Sequence, residues 1–256
     1  MKTRFAFLIG AALVALGGTA HAQGVDEFGA YGSYENRYRV PNKHYFAFEF
    51  RTGPYTPRVD EQVNGTPYAT TFGDAQRWFG GVEADWQLLR LDKILSLGPG
   101  LNWAYTSSSG KGFLATGEGR SGQESSLNIM PMQLGAVLRI TALADNTPVP
   151  LVPYAKGGLA GALWWSNDGG ETAEDDASGT DGSDFSYGYF GAAGIMLRLD
   201  WLDQDDANTA RAQSGLDHSY LFAEYNMCRL DGFGSNDTMD VGADTWLLGV
   251  AAEFVF

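Results

Sequence analysis

Eight stretches of this chain alternate apolar and polar residues with a period of two. In His44 to Arg51, Phe46, Phe48 and Phe50 share one parity, while Ala47, Glu49 and Arg51 share the other. Arg77 to Leu89 sets Trp78, Val82, Trp86 and Leu88 against Arg77, Glu83, Asp85 and Gln87. The pattern recurs in Leu97 to Tyr105, Asn128 to Ile140, Val149 to Trp165, Phe185 to Trp201, Ser219 to Met227 and Thr245 to Phe256. Successive side chains of a strand point to opposite faces, so the period predicts eight strands, each with one oily row and one mixed row. The mixed rows carry Glu49, Arg51, Glu83, Asp85, Arg139, Lys156, Arg198, Asp200, Glu224 and Glu253.

Such strands build either a soluble sandwich, with the oily rows inside, or a membrane barrel, with them outside. Aromatic spacing favours the barrel. Trp78 and Trp86 stand eight residues apart on one face, as do Trp246 and Phe254. Eight residues of tilted strand rise roughly 21 Å, close to the ~25 Å apolar band that aromatic girdles bracket. Connection length agrees: long polar segments near 52–76, 107–126, 166–184 and 228–240 alternate with mostly shorter links near 90–96, 142–148 and 202–217. The expected fold is all-β, an eight-stranded antiparallel up-and-down transmembrane β-barrel over residues 44–256. Trp78, Trp86, Trp103, Trp165, Trp201, Trp246, Phe254 and Phe256 are its membrane girdle, and the ten charges form a solvated salt-bridge plug in its lumen. One stretch, Asp85 to Leu97, also fits an amphipathic helix; strand plus turn is preferred.

The first 22 residues read differently. Lys2 and Arg4 precede an apolar run from Phe5 to Gly17, and Ala20-His21-Ala22 ends it with the small-x-small pattern of a signal peptide cleaved after Ala22. Residues 23–43 are then a periplasmic N-terminal segment. The leader holds both Lys2 and Arg4 and no acid, so the remaining chain has 15 bases against 31 acids. That excess of negative charge argues against nucleic acid as a partner. With one cysteine, Cys228, no internal disulfide framework is possible.

Little points to catalysis or to a cofactor. Gly110-Lys111-Gly112 lacks the spacing of a phosphate loop, and His44, His218 and Cys228 make no convincing zinc set. A lipid-modifying enzyme with a Ser–His pair at the outer surface needs a His there. Both His44 and His218 fall instead at the strand ends on the periplasmic side. The segment Asn167 to Asp184 holds Asp168, Glu171, Glu174, Asp175, Asp176, Asp181 and Asp184. It reads first as a solvated loop and second as weak candidate ligands for a hard divalent cation; Asp231 to Asp240 shares the ambiguity.

GPYTPRVDE at 53–61, SLGPGLNWAYTS at 96–107, MPMQLGAVLRI at 130–140, VPLVPYAKGGLAGALWW at 149–165 and the YLFAEY and LDGFGSNDTMDVG blocks after 220 resemble an uncharacterised outer-membrane β-barrel family of myxobacteria and relatives. More broadly the chain is similar to small OmpA/OmpX-type barrels. The resemblance implies an outer-membrane location and contact with lipid and lipopolysaccharide. It also implies recognition by the barrel-assembly machinery through a C-terminal strand ending in Phe256. It supplies no functional residues. The expected role is structural or surface-interacting, with a side-chain-filled lumen; a narrow channel or small-ligand carrier is the alternative, and a lipid-modifying enzyme a third.

Overall fold

The computed structural model describes residues 44–73, 77–91, 93–111, 119, 122, 124–168, 171, 172, 174, 175, 180–200, 213–235 and 238–256, and no side chain from 168 to 181. The eight wall strands are β1 (Tyr45–Tyr55), β2 (Arg77–Trp86), β3 (Leu95–Gly110), β4 (Ser125–Ile140), β5 (Leu151–Asp168), β6 (Ser183–Arg198), β7 (Leu216–Arg229) and β8 (Asp244–Val255). Each pairs antiparallel with the next, and β8 pairs with β1 from Tyr45↔Val255 to Thr52↔Leu248, so the sheet closes. Carried around the wall, the registers return to β1 about ten residues from where they began. For eight strands such a stagger requires a tilt of about 40° and leaves an interior just wide enough for side chains.

The faces are sorted as the alternation demands. Trp78, Val82, Leu101, Leu134, Leu159, Ile195, Leu221, Trp246, Leu248 and Val250 are exposed on the outer wall, while Glu49, Arg51, Glu83, Asp85, Arg139, Lys156 and Glu224 are buried. A water-soluble protein has the opposite arrangement, because apolar surface left in water is costly. In hydrocarbon this arrangement is the stable one, and the closed ladder leaves no unpaired edge. This is a transmembrane β-barrel.

Both termini of the wall and the β2–β3, β4–β5 and β6–β7 connections lie at one end, the turn end; the β1–β2, β3–β4, β5–β6 and β7–β8 connections lie at the other, the loop end. At the turn end Phe46 stacks on Trp86 (5.8 Å between centroids) and Phe254 on Phe256 (6.2 Å). Near the loop end Tyr225 packs on Trp246 (5.1 Å) and Tyr105 on Trp165 (6.3 Å). Trp103 is opposite Val82, between the two belts. Trp201 lies outside the described residues.

The strands run further towards the loop end than alternation suggests. Gly53, Pro54 and Tyr55, read as loop, belong to β1; Leu97–Tyr105 lengthens to β3; and Asn167 and Asp168 extend β5. Beyond β1 the chain makes two short helices, α1 (Val59–Gln62) and α2 (Pro67–Phe72). No helix forms among the described residues of Asp85–Leu97. β2 ends at Trp86, a short strand Leu89–Leu91 pairs with β3, and Lys93 turns the chain in a left-handed conformation (φ 61°). A third short helix, α3 (Ala142–Asn146), joins β4 to β5.

Four prolines stand inside strands rather than at their ends. Each sits where one neighbouring ladder stops or breaks: Pro54 past Thr52↔Leu248, Pro99 past Asp85↔Gly100, Pro153 past Arg139↔Tyr154, and Pro131 in the gap between Trp103↔Met132 and Thr106↔Ile129. A missing N–H costs little there.

Glycine makes room for large lumen side chains. A Cβ at Gly249 would lie 2.4 Å from the Phe222 ring and 2.2 Å from the Phe50 carbonyl oxygen; one at Gly194 would lie 2.7 Å from the Tyr154 ring. Overpacking of this kind costs about 1–3 kcal/mol. Gly249→Val is therefore expected to lower the temperature at which the purified barrel loses its fast-migrating, unboiled form on a gel. An unchanged transition would show that the ring has another place to go.

Candidate functional site

The lumen is layered. At the loop end, Tyr55, Phe79, Ile129, Phe190, Cys228, Leu230, Val241 and Leu247 form a buried apolar cluster. At the turn end, Val152, Tyr154, Met196, Tyr220, Phe222 and Ala251 form a second, drawn from β5 to β8. Between and beside them lies an ionic layer built by β1, β2, β4, β5 and β7. Period-two strands deliver these groups inward without any special loop, since each stands on the same parity as the small lumen residues beside it.

Arg51 is the hub. Its Nη2 donates to Glu49 Oε2 (2.6 Å) and Glu83 Oε2 (2.5 Å), and its Nη1 to Glu224 Oε1 (3.0 Å). Lys156 Nζ donates to Glu49 Oε2 and Glu83 Oε1, each at 2.6 Å, and lies 3.6 Å from Glu224 Oε2. Arg139 grips Asp85 with both terminal nitrogens (2.7 and 2.6 Å) and reaches Glu49 Oε1 at 2.8 Å. Three cations thus bridge four carboxylates, and all of these contacts except Arg51–Glu49 join different strands. Above them Gln133 and Asn226 exchange amide hydrogen bonds (3.3 and 3.4 Å), and Asn102 donates to the Val82 carbonyl (3.3 Å).

Glu253, also buried, takes a different partner. It accepts from Arg90 Nη1 at 2.6 Å and from Tyr220 at 3.2 Å. Sequence reasoning missed Arg90, which stands in a segment read as a turn. Its neighbours Leu89 and Leu91, both exposed, were the available signal that it points inward.

Two expectations need correction. The charges are not a solvated plug: Arg51 and Arg139 are at most 2% exposed and Glu224 is fully buried. Packing by the two apolar clusters excludes the solvent. Nor do Arg198 and Asp200 join the central layer. They sit at the turn end, where Arg198 pairs with Asp145 of α3 (2.8 Å) and Asp200 with His218. Arg198 is the last residue of β6 and Asp200 lies beyond it, so their height along the wall puts them below the network.

At that rim, burial pushes Asp145 upward, but hydrogen bonds from Thr141 and Arg198 outweigh it and hold the carboxyl below its ordinary pKa. Asp200 is lowered likewise, burial being outweighed by His218 and the Ser219 backbone N–H.

The other candidate ligands assemble no comparable site. Among the described residues, carboxylate oxygens of Glu49, Glu83 and Asp85 lie within 4.8 Å of one another, a spacing that could hold a cation. Arg51, Arg139 and Lys156 already occupy that role. Of the acidic segment, the side chains of Asp168, Glu171, Glu174, Asp175, Asp176 and Asp181 lie outside the described residues. Asp184 is exposed and accepts from the Phe185 backbone N–H at 2.7 Å. His218 contacts Asp200 through Nδ1, and its Nε2 is 3.7 Å from Asp217. His44 pairs by its backbone with Phe256. Both histidines are at the turn end.

No family model matches the chain, and no curated protein does. The narrower resemblance to a myxobacterial family therefore gains no support. Among solved structures, the chain is similar to Ail, the attachment invasion locus protein of Yersinia pestis, in complex with the heparin analogue sucrose octasulfate (13% identity, 83% of this chain and 98% of that one, TM-score 0.43). It is also similar to the outer membrane protein OprG from Pseudomonas aeruginosa (14%, 83% and 95%, TM-score 0.42). A third is the N-terminal β-barrel domain of OprF from the same organism (12%, 83% and 97%, TM-score 0.33). The barrel itself rests on the strand pairing above.

Removing one member of a buried ion-pair network strands its partners and costs about 3–5 kcal/mol. Arg51→Met is expected to lower stability by that much in urea unfolding from lipid vesicles, since it leaves three carboxylates short of a donor. Replacing Glu49 as well should recover part of the loss. An unchanged midpoint for Arg51→Met would show that the layer contributes nothing to folding.

The rim carboxylates give a pH dependence of defined sign. A lowered folded-state pKa stabilises above the ordinary carboxylate range and ceases to do so as pH falls through the lowered value. The urea midpoint of the wild type should therefore fall on acidification from about pH 5 to about pH 3. Asp145→Asn should flatten that fall, because its share is already missing.

Proposed function

We propose that this protein is an outer-membrane β-barrel with a structural or surface-interaction role, whose lumen is closed to diffusion. The observation that carries this reading is the ionic layer. Arg51, Arg139 and Lys156 meet Glu49, Glu83, Asp85 and Glu224 from five strands, all of them buried, with an apolar cluster on the loop side. An ion crossing that layer would have to displace several charge-assisted hydrogen bonds in a low-dielectric space, and an apolar solute would have to pass seven charges.

On this reading residues 1–22 are a signal peptide removed after Ala22, 23–43 lie in the periplasm, and the turn end faces the periplasm. The aromatic belts at Trp78, Trp165 and Trp246 and at Trp86, Phe254 and Phe256 sit at the two membrane interfaces, where amphipathic rings are favoured. The outer wall contacts lipid and lipopolysaccharide, and the last strand with Phe256 engages the assembly machinery.

The loop end is built to hold a shape. Arg58 donates to Asp240 (3.3 Å) and Asp244 (3.4 Å), Gln62 accepts from the Asp240 backbone N–H (2.5 Å), and Arg229 pairs with Asp244. The Arg58 and Gln62 bonds tie the β1–β2 connection to the β7–β8 connection and the start of β8, a surface suited to contact with a partner. A Ser–His reaction at the outer surface finds no support, because His44 and His218 lie at the opposite end and His218 is held between carboxylates.

Purified chain inserted in planar bilayers should show no steady single-channel conductance. Discrete, ohmic openings in the wild type would overturn the closed-lumen reading and favour the channel.

A further inference from the structure

A pocket of about 340 Å³ opens at the loop end, between α1 and α2 on one side and the ends of β4 and β5 on the other. Val59, Tyr68, Phe72, Leu127, Trp164 and Met239 supply its apolar walls. Four of these pack on the apolar cluster that seals the lumen, so the pocket has a floor and does not continue into the barrel: Val59, Phe72, Trp164 and Met239.

The strongest polar atoms around it are committed elsewhere. Trp164 Nε1 donates to Ser186 Oγ (3.1 Å), which donates to the Met239 carbonyl (2.7 Å). The Tyr68 hydroxyl is hydrogen-bonded to Ser108 (2.7 Å). The α2 wall is pinned in place. Asp60 accepts from the Tyr68 and Ala69 backbone N–H groups (2.7 and 2.9 Å), and Arg77 donates to the Phe72 carbonyl (3.0 Å). Among the described residues, Thr71, Ser125 and Ser166 give the lining a polar edge, and no acidic or basic side chain lines it.

We propose that this pocket is a binding site for a small, neutral, apolar molecule, aromatic by preference. A preformed, mostly apolar concavity in which Trp164 Nε1 and the Tyr68 hydroxyl already have partners rewards burial of apolar surface and ring packing against Trp164 and Phe72. A charged ligand would lose its hydration and gain no counter-charge. The volume equals about eleven waters at ~30 Å³ each, which suits a molecule of about ten non-hydrogen atoms. Because the floor is closed, the site captures its ligand without passing it inward. This goes beyond the structural role; that the ligand stays outside rests on the closed-lumen reading, while the binding site itself does not.

The test uses the full mature chain in lipid nanodiscs and radiolabelled naphthalene in equilibrium dialysis, with empty nanodiscs as the measure of partitioning into lipid. The wild type should show one saturable site per barrel above the linear background. Ser166→Trp and, separately, Ser125→Phe should fill the pocket, keep the heat-dependent gel shift of an intact barrel, and weaken the saturable component at least tenfold. Should one variant fail to fold, the other decides. The naphthoate anion, of similar size, should show no saturable component on the wild type. The proposal is overturned by absence of a saturable site in the wild type, by unchanged binding in a folded pocket-filled variant, or by naphthoate binding as well as naphthalene.

Discussion

The backbone hydrogen bond in a medium without water governs this molecule. Inside hydrocarbon an unpaired N–H or C=O costs several kcal/mol, so a sheet that spans must close on itself. Closure at eight strands, with the stagger seen here, fixes the tilt and a bore filled by side chains. The wall has no edge to protect, and the prolines show how strictly its ladders are kept. Pro54, Pro99, Pro131 and Pro153 enter strands only where one ladder has ended or is interrupted.

Closure creates a second problem, because the inner row must fill a narrow cylinder without water. The chain solves it in layers. Apolar side chains occupy the loop end, and glycines at 194 and 249 admit Tyr154 and Phe222 towards the turn end. The remaining cross-section holds three cations paired with four carboxylates. Such a layer is weak evidence for net stability, since desolvation offsets much of the attraction, but it is strongly specific. Arg51 meets Glu49, Glu83 and Glu224 only if β1, β2 and β7 are in register. A slipped strand would bury unpaired charge.

The same layering sets what each end can do. The turn end is anchored by Arg198–Asp145, Asp200–His218 and Arg90–Glu253. The loop end is tied by Arg58, Asp240, Asp244 and Arg229, and it carries the concavity under α2. The middle of the lumen is filled by the buried ionic layer.

Strand number, facing and wall closure were legible in the sequence, because a period of two has only two faces and a residue's parity survives any tertiary detail. Glu49, Arg51, Glu83, Asp85, Arg139, Lys156 and Glu224 could thus be placed inward from order alone. Their partners could not. Which carboxylate meets which cation depends on register and stagger between strands up to 173 residues apart, as for Arg51 and Glu224. Height along the wall separated Arg198 and Asp200 from the layer, and local turn geometry brought in Arg90. Neither α2 nor its pocket had a periodic signal, since short helices over a loop take their shape from what they pack against. The alternation of the chain determined the wall; the register of the closed sheet decided what fills it, because long-range pairing alone brings distant strands to one height.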